Sequence, residues 1–309
     1  MPSSKSSRQW TGFRSVLCPI DFSEQSRLAL RYAEAVAFRA GATLTVLYAN
    51  DPLLITAAGI VLRDRQLAKR SANELQGFIA ATTESKGRLR VKLRVSIGSP
   101  TEEILKAASS DRADLIVLGT HGLTGAGRLV MGSTTLGILQ RTAVPVLAVP
   151  RADTGAAVAP SPSWPGERVI AALELNAAAE TEVDIAARVA QWFGSSLLLL
   201  HVVSDITAPA WFTGDLGAHD RIRVARAQQQ MDALAANVRS RVKTECRVIG
   251  GRVADEIAAL AATERAGLLI SALRDRRGWF GARRGSVSYH VLSHAVTPVL
   301  AYPSQWRPR

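Results

Sequence analysis

The chain has 309 residues, 47% of them hydrophobic and 21% charged, with 38 Lys and Arg against 26 Asp and Glu for a formal charge of +12. At roughly 150 residues per domain that length points to two domains, and the apolar content lets each bury a core, which excludes wholesale disorder. Two cysteines exclude a disulfide framework and a cysteine-rich zinc module; no apolar stretch approaches the roughly 18 residues of a membrane helix, and the polar run from Met1 to Arg8 lacks a signal peptide's apolar core, so a soluble, cytoplasmic protein is expected. The basic excess is spread along the chain: residues 1–150 hold 19 basic and 11 acidic residues (+8), and residues 151–309 hold 19 and 15 (+4). Such a surface favours anionic partners in general and selects none of them.

In chain order, the apolar run 15–20 predicts a buried strand. A helix follows, with Ser23 as N-cap, Leu28, Ala29, Tyr32, Ala33, Val36 and Ala37 on one face, and Gly41 past its end. Residues 44–49 predict the second strand, 60–84 one longer helical segment, and the alternating 90–97 a half-exposed strand. Pro100 with Glu102 and Glu103 opens a helix, as the first turn favours. Residues 115–118 form a buried strand, followed by a glycine-rich loop, a helix over 133–141 and a last strand over 144–149. The Ala-, Pro-, Ser- and Gly-rich stretch 152–165 reads as a linker between domains at 13–151 and 166–304. Strands near 168–173, 197–203, 245–249, 268–271 and 298–302 repeat the grammar.

The repeat runs at a single offset of 153, from Val16-Leu17 over Val169-Ile170, through Gly98 over Gly251 and Glu103-Ile104 over Glu256-Ile257, to Gly132-Ser133 over Gly285-Ser286 and Pro145 over Pro298. One register held from first strand to last means duplication. Strands alternating with helices give an α/β fold: two tandem doubly wound parallel-sheet domains of Rossmann-like type, each with five strands flanked by helices.

In such sheets ligands bind beyond the carboxyl ends of the strands. In the first copy that edge collects Pro19-Ile20-Asp21, Ala49-Asn50-Asp51 and the loop from Gly119 through His121, Gly122, Gly125, Gly127 and Arg128 to Gly132-Ser133-Thr134. Glycines let backbone approach a ligand; Gly132-Ser133-Thr134 opens a helix, where free N–H groups, two hydroxyls and the helix dipole suit an anion. Asp21 suits sugar hydroxyls or a base amine, and anion, sugar and base together describe a nucleotide. Read singly, Asp21 is a helix cap, Ser133 an N-cap, Gly119 and Gly122 strand-end turns, and His121 and Arg128 solvated loop residues. The P-loop motif and the Gly-x-Gly-x-x-Gly of dinucleotide-binding folds are both absent.

Gly119-x2-Gly122-x9-Gly132-Ser133, Pro19-x-Asp21-x-Ser23 and the closing Ala148-Val149-Pro150 resemble the ATP-binding signature of the universal stress protein family, and the whole chain resembles a tandem of two such domains. The resemblance implies an adenine nucleotide α-hydrolase-like fold. It implies ATP, with Mg2+ as the accompanying ion, held by Asp21 on the adenosine beside Pro19, by the Ala49 backbone at the adenine edge, by Gly119 and Gly122 along ribose and α-phosphate, and by Gly132, Ser133 and Thr134 at the β- and γ-phosphates. It also implies that the two domains pack as an intrachain pseudo-dimer, related single-domain proteins pairing through the last strand, with a homodimer of chains and an unidentified regulatory protein as further partners. No residue is assigned a catalytic or resident-metal role.

The second copy departs from the pattern. Glu174 replaces Asp21, Ala172 replaces Pro19, and Ala272 and Asp275 replace Gly119 and Gly122, while five arginines between Arg274 and Arg284 crowd the loop beside Trp279 and Phe280. It is expected not to bind ATP. The leading function is a stress-response regulator acting through nucleotide-dependent conformation or partner binding. A slow ATPase is the alternative, with His121 its sole candidate base; a scaffold with a vestigial site or a nucleic-acid binder is a third, the latter without a supporting motif.

Overall fold

In a computed structural model of the chain, residues 10–60, 67–85, 88–120, 131–151, 159–206, 217–273 and 287–308 are described. The first half contributes β1 (Ser15–Ile20), α1 (Glu24–Ala40), β2 (Thr43–Asn50), α2 (Pro52–Ile60), α3 (Leu67–Thr82), β3 (Arg90–Ile97), α4 (Pro100–Ser110), β4 (Leu115–Gly119), α5 (Ser133–Arg141) and β5 (Val146–Val149). The second contributes β6 (Arg168–Ala172), α6 (Ala179–Phe193), β7 (Ser196–Ser204), α7 (Gly217–Ala236), β8 (Thr244–Gly251), α8 (Val253–Thr263), β9 (Leu268–Leu273), α9 (Val287–His294) and β10 (Val299–Pro303).

Local chemistry explains the element ends. Ser23 caps α1 by accepting the Ser26 N–H at 3.1 Å, and Gly41 closes it in the left-handed region at φ 62°. The single helical segment expected over 60–84 is corrected: helix starts earlier, at Pro52, because Asp51 accepts the Leu53 N–H at 2.8 Å and proline suits a first helical position. Helix α3 covers Leu67–Thr82, and residues 61–66 lie outside the described ones.

The strands form one ten-stranded sheet in the order β3-β2-β1-β4-β5-β10-β9-β6-β7-β8. Every pair within a half is parallel, as expected of strands joined by helices. The halves meet where β5 runs antiparallel to β10, with Leu147 opposite Leu300. Alternate strand residues feed two core layers. Val16, Cys18, Leu44 and Val46 join α1, α3, α6 and α7 on one face, whereas Leu17, Leu47, Ile116 and Leu118 join α4, α5, α8 and α9 on the other. Each layer contains residues of both halves, so the core is continuous across the junction.

An aromatic seam reinforces that junction. Trp192 of α6 lies 5.4 Å from Trp10 and 5.8 Å from Phe13, and its indole N–H donates to the Thr11 carbonyl at 3.1 Å. Arg39 of α1 reaches across to the Trp192 carbonyl at 2.9 Å. Trp164 is wedged between Tyr32 and Phe193, at 5.1 and 5.2 Å, and donates to the Gly267 carbonyl. Gly12 sits at φ +100°, and a Cβ there would lie 2.4 Å from the Trp192 ring nitrogen, so the chain passes Trp192 only with glycine in that place. Of the stretch 152–165 read as a linker, residues 152–158 lie outside the described ones. Trp192→Ala is expected to lower stability by about 3 kcal/mol, the scale for removing a large aromatic from a packed cluster, read as a lower urea midpoint for the full chain.

Candidate functional site

The sheet order places β1 between β2 and β4, so their carboxyl ends lie side by side at spacings of about 4.8 Å. The helix after β1 covers one face of the sheet and the helix after β4 covers the other. The divergence opens a crevice between the β1 and β4 ends, the usual ligand position of doubly wound sheets.

Pro19 is the penultimate residue of β1, and Asp21 begins the turn beyond it. Asp21 Oδ1 accepts the Ser23 N–H at 3.0 Å and the Ser23 hydroxyl. The cap of α1 is therefore Ser23, and Asp21 braces the capping turn. Phe22 between them takes φ 62°, uncommon for a bulky side chain. Its ring packs 4.6 Å from Tyr48 and 5.5 Å from Phe78. Burial, followed by the nearby Asp21 and Asp51 carboxylates, raises the Tyr48 hydroxyl pKa above its ordinary value, so the phenol stays neutral at physiological pH. Ala49 pairs with Ser96 of β3, and the Asn50 carbonyl accepts the Gly98 N–H at 3.0 Å, closing the end of β2.

On the other side of β1, Gly119 ends β4. The Thr120 N–H bonds to the Val149 carbonyl and the Gly132 N–H to the Thr120 carbonyl, both at 2.9 Å, so the loop leaves and returns at one point. His121, Gly122, Gly125, Gly127 and Arg128 lie within residues 121–130, outside the described ones. Gly132 is the N-cap of α5 and supplies no side-chain cap, so Ser133 is the first helical residue and its exposed hydroxyl is not the cap. Thr134 follows in the first turn, while Thr135 donates to the Gly119 carbonyl at 2.8 Å and ties α5 to β4. The α5 terminus thus presents first-turn N–H groups and the Ser133 and Thr134 hydroxyls beside the crevice, the chemistry of an anion site.

Sequence reading missed Gln25, in the first turn of α1. Its amide nitrogen donates to the Val149 and Pro150 carbonyls at 2.9 and 3.1 Å, pinning α1 to the end of β5. A Cβ on Gly119 would lie 2.5 Å from Gln25 Cγ. Glycine at 119 therefore has a packing cause independent of any ligand. In the second copy alanine stands at both equivalent positions, Ala272 and Ala178. The loss of that glycine follows the loss of the glutamine, a pairing visible only once both halves are aligned on the fold.

At the second copy's strand ends, His201 Nδ1 contacts the Leu173 carbonyl at 2.9 Å, and Arg223 donates to the Ser204 carbonyl at 3.0 Å. Residues 274–286, holding Asp275, the arginine-rich stretch with Trp279 and Phe280, and Gly285-Ser286, lie outside the described ones. The Cys18 thiol is fully buried and its pKa is pushed upward by that burial, as befits a small core residue. His294 Nδ1 contacts the His290 carbonyl at 2.9 Å, and no group of three or more His, Cys, Asp or Glu among the described residues could hold a metal. Nor is any helix among them long and apolar enough to cross a membrane.

The profile of the Universal stress protein family matches this chain twice, at residues 12–150 and 166–303. The chain belongs to the universal stress protein family. As a tandem member it is similar over nearly its whole length to a universal stress protein of Mycolicibacterium smegmatis, 24% identical over 296 residues, covering 92% of this chain and 95% of that one. A universal stress protein of Methanocaldococcus jannaschii is 27% identical over 164 residues, covering 46% of this chain and 98% of its own. Among solved structures, a universal stress protein from Archaeoglobus fulgidus shares the fold at TM-score 0.63 and 20% identity, covering 96% of this chain and 98% of its own.

The contact between Gln25 and Gly119 gives a thermodynamic prediction for this universal stress protein. Gly119→Ala should destabilise by about 1–2 kcal/mol by displacing the glutamine. Combined with Gln25→Ala, it should cost no more than Gln25→Ala alone; urea melts of the four proteins of the double-mutant cycle measure the coupling.

Proposed function

We propose that the first half, with domain bounds of 13–151, binds ATP and that occupancy regulates the protein by changing its conformation or its affinity for a partner. The observation that carries this is the α5 terminus: Gly132 supplies no side-chain cap, so the first-turn N–H groups and the Ser133 and Thr134 hydroxyls are left to meet an anion beside the β1–β4 crevice. Asp21 takes the adenosine hydroxyls or amine with Pro19 shaping the turn, and the Ala49 backbone meets the adenine edge. Gly119 and Gly122 lie along the ribose and α-phosphate, His121 borders them, and Gly132, Ser133 and Thr134 hold the β- and γ-phosphates. The donor set fits a phosphate chain. Mg2+ would then sit on phosphate oxygens and the hydroxyls, since the described residues supply no acidic or histidine cluster of their own for it.

The second half, 166–304, serves as a structural and regulatory companion without ATP. Glu174 and Ala172 stand where Asp21 and Pro19 do, and Asp275 would oppose phosphate charge; Ala272 counts for less, because Ala178 accounts for it. The linker 152–165 joins the two, and the cytoplasm is the proposed location. Hydrolysis is not the proposed role: the loop offers His121 as its sole candidate base, and that residue lies outside the described ones.

Calorimetric titration of the full chain should give one ATP per chain, and two would refute the silent second half. Asp21→Ala should weaken ATP binding at least tenfold, the effect of losing a charge-assisted hydrogen bond. Phosphate release should stay below about 1 s⁻¹, the low end of ordinary enzyme turnover.

A further inference from the structure

Between Pro52 and Ile60 the one polar residue of α2 is Thr56, and its hydroxyl donates to the Pro52 carbonyl at 2.9 Å, so the helix spends its only polar side chain on itself. A helix with no polar face belongs in a protein core or in lipid. This one lies on the surface: Leu53, Thr56 and Ala57 are exposed, and Ile55 is half-buried. Leu53, at 78%, is the most exposed large hydrophobic side chain among the described residues. The Asp51 cap holds the start of α2 at the end of β2, so the helix stands at the carboxyl edge of the sheet.

Its size and its surroundings indicate what covers it. A nine-residue helix is about 14 Å long and 10 Å across, so one face offers on the order of 150 Å². A stable protein interface needs about 800 Å² per partner, and a helix that spans a bilayer needs about 20 residues. The chain around it is basic. Between Pro52 and Arg70 stand Arg63, Arg65, Lys69 and Arg70 against Asp64 alone, a net charge of +3, and Lys69 at the start of α3 is exposed. An apolar helix beside a basic run supplies the two signals that together hold a protein to an anionic lipid surface: apolar side chains enter between headgroups, and cations meet the headgroup charge. The second copy shows that the fold does not require the basic run. The stretch 205–223, at the same offset of 153, holds Asp205, Asp215 and Asp220 against Arg221 and Arg223, a net charge of −1. Arg223 is moreover paired with Asp220 at 2.9 Å.

We propose that α2 is a peripheral docking helix for an anionic lipid surface: Leu53 and the apolar residues around it enter the headgroup layer, and Lys69 with the neighbouring arginines meets the lipid phosphates. The helix lies in the interface and does not cross it. Because α2 follows β2, whose carboxyl end adjoins that of β1, the lipid-facing edge is the sheet edge that carries the crevice. The docking is independent of the ATP-binding reading.

The test floats the full-length protein with vesicles of phosphatidylcholine alone and of phosphatidylcholine with phosphatidylglycerol. Wild type should rise with the anionic vesicles, stay behind with phosphatidylcholine alone, and bind less as salt increases. Leu53→Gln should weaken partitioning about tenfold, the scale of withdrawing one leucine from apolar surroundings, with the melting temperature unchanged because the side chain is exposed. Lys69→Gln should weaken it about fivefold, the scale of one basic residue beside an anionic leaflet. Ile222→Gln, at an exposed apolar residue of the second half, should leave it unchanged. A wild type that stays behind with the anionic vesicles overturns the proposal; light scattering then reads whether Leu53→Gln splits a dimer of chains. Binding that Leu53→Gln and Ile222→Gln affect equally, or not at all, is attraction of the basic chain as a whole and overturns the role of α2. If Leu53→Gln melts below wild type, Lys69→Gln decides: unchanged partitioning there overturns the proposal.

Discussion

The antiparallel pairing of β5 with β10 is the constraint on which the rest of the molecule depends. Each half alone would end in a strand with an unpaired edge and a row of unmet backbone groups. Pairing Val146–Ala148 with Val299–Ala301 removes both edges at once and turns two five-stranded sheets into one. The core layers on both faces then run through the junction, and the aromatic seam of Trp10, Phe13, Trp164, Trp192 and Phe193 has two surfaces to join. The crevice of the first half lies on the β1–β4 boundary, two strands from this junction. Gln25 bridges the two, touching the Gly119 position on one side and the last carbonyls of β5 on the other.

Duplication makes the second half a natural experiment on the first. Where the copies agree, the fold is responsible. Gly98 and Gly251 both take positive φ, and each lies against the glutamate five residues on, Glu103 and Glu256. Where the copies differ, the differences gather at one strand edge: Asp21 against Glu174, Gln25 with Gly119 against Ala178 with Ala272, and Asn50 against Val203. The first copy keeps Gln25 and Asn50 there; the second copy has Ala178 and Val203 in their places and retains a carboxylate at Glu174.

Most of the architecture was legible in the sequence because its signals are local. The buried runs of β1 and β4, the Ser23 and Gly41 caps, and Pro100 with its two glutamates each act within a few residues, and the offset of 153 needs only a comparison of the chain with itself. The helix start at Pro52 lies outside the expected 60–84 because it rests on a short cap at Asp51-Pro52, a weaker signal than the periodicity that follows. Ser133 was read as a possible cap because hydroxyls usually fill that place; the structure gives the cap to Gly132.

The sequence by itself determined the fold class, the duplication, the family and the residues that could meet a nucleotide, since strand periodicity, caps and glycine spacing are written along the chain. The resemblance implied pairing of the two last strands; tertiary structure alone decided the antiparallel register of β5 on β10, that Gly119 is glycine because Gln25 fills its space, and that Asn50 is buried with half of its amide unmet. These facts join residues from 21 to more than 150 positions apart. No local signal carries them, because packing and hydrogen-bond satisfaction exist only once the strands are side by side.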